Sequence, residues 1–158
     1  MMRPVGMHRE SPSARRPFWA LVLGAVAAVF GLATIVSGGT VLFGGDEARA
    51  AAGAVVPFVL WFNFLAGFAY VAAGLGLALW KSWGALLAAL VAVSTLVVAA
   101  AFAAHVLSGG AYEARTAMAM TLRAAVWTGI ALVGCRALGC IGARGGAAIE
   151  HHPNGDKK

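Results

Sequence analysis

Ionisable side chains are nearly missing from most of this 158-residue chain: only 11% of its residues are Asp, Glu, Lys or Arg. Residues 17–45, 50–80 and 82–112 contain none, and residues 116–135 contain a single one, Arg123. A soluble domain needs a polar surface, and an apolar content of 61% leaves too little to build one. Each run reaches or exceeds the roughly 20 residues that carry a helix across a bilayer core. The expected fold is therefore an all-α integral membrane protein with four transmembrane helices in an antiparallel bundle. The spans are expected at about 17–37, 56–80, 83–107 and 115–137, between a basic tail (1–16) and a Gly-rich polar tail (139–158), both without fixed structure.

Other scarcities exclude particular chemistries. The chain has two cysteines, Cys135 and Cys140, five residues apart and so about 140° apart on a helix. They sit at the end assigned to the cytoplasm, where thiols stay reduced, which argues against a disulfide or a shared metal. The spans hold one histidine, His105, whereas haem b between two axial histidines needs a pair. An outward-facing cysteine pair, required by a quinone-linked thiol oxidase, is missing, and so are the paired outer-loop cysteines of a tetraspan junction protein. The first span carries no acidic residue of the kind found in small multidrug exporters. His151 and His152 beside Glu150 are neighbours on a flexible tail and make a poor metal cage. No nucleophile is paired with a base. The chain is thus expected not to be an enzyme, with no catalytic residue, cofactor or metal.

The few charges that are present set a topology. Nine of the twelve basic residues fall in the N-terminal tail (Arg3, Arg9, Arg15, Arg16), at Lys81, or at the C-terminal end (Arg136, Arg144, Lys157, Lys158). Cytoplasmic loops accumulate Lys and Arg, so both termini and the Lys81 turn are expected inside. Trp19, Trp80 and Trp83 then share the inner membrane boundary, where indole rings favour the headgroup level. The net charge of +6 forms no basic face on a soluble element, which argues against nucleic acid as a partner. Arg15-Arg16-Pro17-Phe18 resembles a twin-arginine export signal and Ala48-Arg49-Ala50 a small-residue cleavage site. The apolar stretch between them is far longer than a signal core, so the first span is expected to stay as an anchor in a bacterial inner membrane.

Lipid tails are as apolar as Leu, so membrane helices associate through small residues and interhelical hydrogen bonds. That rule turns Gly24, Ala27, Ala28, Gly31, Thr34 and Gly38 inward on the first helix. On the second it turns Asn63, Gly67, Tyr70 and Gly74 inward, with Phe58, Trp61, Leu65 and Phe68 to lipid. Ser94, Val98, Ala101 and His105 align on the third, and Thr116, Met120, Arg123, Trp127 and Gly134 on the fourth. Glycine pairs at 38–39 and 44–45 are expected to end the first helix near Ser37 or a turn later, with Thr40 to Phe43 as a frayed last turn or a short interfacial segment, and to open the longest loop.

Polar residues gather in the outer half: Thr34, Ser37, Asn63, His105, Thr116 and Arg123. Arg123 is the sharpest of them, since a charge at the bilayer centre costs on the order of 3 kcal/mol. Glu113, Asp46 and Glu47 are the candidate counter-ions. Two functions follow as expectations. One is a non-enzymatic accessory or scaffold component that packs through its helix faces into a homo-oligomer or larger membrane assembly. The other is a small-molecule binder or transporter in which Asn63, His105, Glu113 and Arg123 form an outward-facing pocket for an anionic or quinone-like ligand.

Overall fold

The computed structural model describes residues 17–138. The readings of both tails, of Cys140 and of His151 and His152 lie outside the described residues. Five helices follow in order: α1 (Phe18–Phe43), α2 (Gly45–Ala52), α3 (Pro57–Ala78), α4 (Ser82–Leu107) and α5 (Ala114–Leu138). All but α2 are long and apolar enough to cross a membrane.

The small-residue rule decides how α1 meets α3, the most extensive contact in the molecule. A Cβ added at Gly24 would lie 2.5 Å from the carbonyl oxygen of Gly74, and one at Gly31 would lie 2.8 Å from that of Gly67. Gly38 rests against Phe64 in the same seam. Such approaches leave room for hydrogen only, so backbone lies on backbone and dispersion replaces what lipid would otherwise supply. The other extensive contacts between the long helices run from α3 to α4 and from α4 to α5. Gly76 and Gly84 bring the first of these pairs together at its hairpin, where a Cβ on either glycine would meet the other's backbone within 2.6 Å.

The two hairpin ends use one capping device. After α4, the N–H groups of Gly109 and Gly110 donate to the carbonyls of Val106 and His105, and Gly109 adopts φ +84°. After α3, Trp80 and Lys81 donate to Leu77 and Gly76 in the same pattern. There the left-handed position is filled by Trp80, at φ 55°. A non-glycine residue costs roughly 1–2 kcal/mol in that conformation. The indole is held edge-on against Trp19, with centroids 5.3 Å apart. Trp83 lies against Gly76 nearby, so the three tryptophans gather at one end.

Three local expectations are corrected. First, α1 runs unbroken to Phe43, past both Ser37 and the following turn, so 40–43 is regular helix and not a frayed turn or a separate segment. Gly38 and Gly39 do not break it because both pack on Phe64, while Phe43 docks edge-on against Trp61 and Phe64. Second, the long first loop contains the short helix α2, with Asp46 and Glu47 in its first turn, where carboxylates favour the positive end of the helix dipole. Third, α4 is turned by about one residue. Ser94 and Ala101 are exposed, and Thr95 and Phe102 are buried. Ser94 donates to the carbonyl of Leu90 within its own helix, so its hydroxyl needs no neighbour. The close-packed Ala85, Ala88 and Ala92 set the buried side instead.

Candidate ligand cleft between α1, α3 and α5

Helix α1 packs on α3, α3 on α4 and α4 on α5, but among the described residues α1 and α5 have no close helix-to-helix seam. The space left between them is a cleft of about 440 Å³. Thr34, Ser37 and Gly38 of α1 form one wall, and Thr116, Ala119 and Arg123 of α5 the other. Val59, Leu60 and Asn63 of α3 form the back, and Ala52, Val55 and Val56 of the α2–α3 connection close the end next to α2. At 1.5 Å per residue, Arg123 lies roughly 13 Å from the start of α5, Asn63 roughly 9 Å from the start of α3, and Thr34 roughly 13 Å from the end of α1. Three polar side chains from three helices thus line one cleft, each within about 9–13 Å of a helix end.

Two of them are left with open valences. Asn63 is 8% exposed. Its amide donates weakly to the sulfur of Met120 at 3.7 Å, and its Oδ1 has no partner among the described residues. Arg123 is half-buried, with its Nε shielded and without a hydrogen-bond partner. Its guanidinium carbon stands 6.0 Å from the centre of the Phe30 ring, a cation–π contact that offsets only part of the desolvation of a charge. Thr34 differs, because its hydroxyl donates to the carbonyl of Phe30 at 2.8 Å.

Deeper in the molecule the polar floor continues. Tyr70 is fully buried between Phe30, stacked at 6.0 Å, and Trp127, tilted at 4.4 Å. The Tyr70 hydroxyl faces that of Thr95, and the Trp127 N–H has no hydrogen-bond partner among the described residues. Of these buried polar atoms, only Asn63 Oδ1 and Arg123 Nε belong to residues that line the cleft. Leaving such a group unpaired costs about 1–3 kcal/mol, so these two call for a partner in the space they line.

The expected pocket of four residues separates into two pairs. Asn63 and Arg123 line the cleft, whereas His105 and Glu113 do not. The His105 ring donates from Nε2 to the carbonyl of Ala111 at 3.2 Å and meets Phe58 edge-on. It fastens the α4–α5 turn. Glu113 accepts the N–H of Ala54 at 3.1 Å. It is also displaced from Arg123 by ten residues, or roughly 15 Å of helix rise, so it is not the counter-ion. Asp46 and Glu47 are exposed on α2. Among the described residues Arg123 has no ion pair.

Sequence reasoning missed the floor. Tyr70 and Trp127 read as packing, and Thr95 was hidden by the serine beside it. Arg115 also escaped notice, although it lines the cleft and donates to the carbonyl of Ala51 at 3.0 Å. Cys135, at the far end, gives its thiol to the carbonyl of Ala85 at 3.8 Å. No protein-family model, curated protein or solved structure matches the chain.

Proposed function

We propose that the chain is a non-enzymatic multi-pass protein of a bacterial inner membrane, an antiparallel bundle with both termini cytoplasmic, whose α1–α5 cleft binds a small anionic or quinone-like molecule. The observation that carries this reading is Arg123, a cation set in a cavity beside Asn63 with no counter-charge among the described residues. Arginine keeps its proton in any environment a protein offers, so it asks for an acceptor rather than for neutralisation. Its planar fork suits a carboxylate, a phosphate or a pair of carbonyl oxygens. Asn63 orients the same ligand through an amide. His105 and Glu113 are assigned to holding the loops around the cleft.

An accessory or scaffold role is the second reading, supported by the wide apolar faces of α1 and α4, on which Val29, Val36, Leu90 and Val93 are exposed. Such faces suit a partner helix as well as lipid. Native mass spectrometry of the untagged protein, extracted in mild detergent from its own membrane, separates the two. The ligand reading predicts a small molecule retained by the wild type and lost from Arg123→Gln. A stoichiometric protein partner with no small molecule would favour the scaffold.

A further inference from the structure

Taking the cleft as a ligand site, we infer that its occupant is an anionic amphiphile: an acid headgroup bound at Arg123, on an acyl chain that leaves sideways between α1 and α5. The path follows from which walls are fastened. Toward the α2 end, Glu113 holds the N–H of Ala54 and Arg115 holds the carbonyl of Ala51, so both sides of the α2–α3 connection are tied to the start of α5. Between α1 and α5 no hydrogen bond and no close helix seam is formed among the described residues, and the Arg123–Phe30 ring contact is what spans the gap. A molecule already dissolved in the leaflet reaches Arg123 without crossing the fastened end.

Depth and lining support the same occupant. A water-soluble anion has to shed its hydration to reach a cation roughly 13 Å along α5. An amphiphile brings the apolar burial of its chain, worth about 0.8 kcal/mol per methylene, to offset that cost. A cleft of about 440 Å³ is small for a ligand pocket and suits a headgroup with the first part of a chain. Val41, Val59 and Leu60 supply the apolar lining, and Gly38 and Ala119 line the α1 and α5 walls with little side-chain bulk. The headgroup chemistry is marked by two open atoms. Arg123 Nε donates and Asn63 Oδ1 accepts, so the fitting headgroup carries an acid oxygen and, beside it, a hydroxyl.

The test uses the full chain in detergent micelles. Lysophosphatidylglycerol and phosphatidylglycerol serve as amphiphilic probes, and glycerol 3-phosphate and inorganic phosphate as headgroups without chains. Binding is followed by native mass spectrometry. A single lipid adduct is expected, weakened roughly tenfold or more in Arg123→Gln and partly restored in Arg123→Lys. Ala119→Trp, which plugs the opening and leaves both polar groups in place, is expected to lose the lipid adduct as well. Circular dichroism confirms that each variant is folded. Arg123-dependent binding of glycerol 3-phosphate or phosphate as tight as that of the lipids would overturn the amphiphile and leave the ligand site standing. Lipid binding unchanged in both Arg123→Gln and Ala119→Trp would overturn the placement. No adduct with any probe would overturn the ligand site itself.

Discussion

Arginine inside a bilayer ordinarily escapes in one of two ways, by snorkelling to the headgroups or by pairing with a carboxylate. Among the described residues Arg123 makes no ion pair. Its guanidinium lies over Phe30, its Nε is buried, and the nearest acidic residue in sequence, Glu113, is engaged by the backbone of the α2–α3 connection. An empty cleft therefore leaves a destabilising charge in place. Replacing Arg123 by Met is expected to raise the stability of the ligand-free protein by about 1–3 kcal/mol, read as a higher melting temperature in lipid-depleted detergent. Asn63→Leu belongs at the same scale, for it removes an orphaned acceptor at little change in volume. It is expected to leave the melting temperature unchanged or raised while weakening ligand retention. A clear loss of stability would mean that Asn63 is interhelical glue.

Helix faces were legible in the sequence wherever small residues alternate with bulky ones. Gly24, Gly31 and Gly38 repeat every seven residues and meet Gly74, Gly67 and Phe64, which is why the α1–α3 contact reads directly from spacing. The face of α4 was not legible, because alanines surround the helix and a serine that satisfies itself on Leu90 looks as inward as the buried Thr95. The course of the chain after Ser37 was also hidden, since nothing local says that Gly38 and Gly39 will be covered by Phe64. The candidate site was half legible. Polar residue type and depth pointed to Asn63 and Arg123, but the lateral positions of His105 and Glu113 depend on how two loops are tied.

Two predictions follow for these elements. Gly31→Ala is expected to destabilise by about 1–3 kcal/mol in thermal melts, because its Cβ would lie 2.8 Å from Gly67 O and 2.9 Å from Tyr70 Cβ and Val71 Cγ2. Gly129→Ala, whose Cβ meets nothing within 4 Å on an exposed face of α5, is expected to stabilise by about 0.5–1 kcal/mol. Equal effects would remove the glycine seam as the reason for the packing. Separately, the double variant Glu113→Ala, Arg115→Ala is expected to speed amide hydrogen exchange in residues 45–54 while leaving α3 and α4 protected. Unchanged exchange would mean that these side chains do not hold α2 down.

At the scale of the whole molecule, three helix seams are closed and the fourth is an opening with a charge inside it. Four apolar helices are what the composition demands. The open fourth seam is what the composition does not reveal, because it depends on which pair of helices lacks a matching set of small residues. The direct test of this account compares thermal unfolding of wild type and Arg123→Met in lipid-depleted detergent, with and without lysophosphatidylglycerol. A ligand that binds only the folded state stabilises it by mass action, about 2.7 kcal/mol at a hundredfold excess over its dissociation constant. The account predicts that the amphiphile raises the melting temperature of the wild type and leaves Arg123→Met unmoved, with the variant the more stable of the two before addition. Equal shifts in both proteins, or a shift in neither, would contradict it.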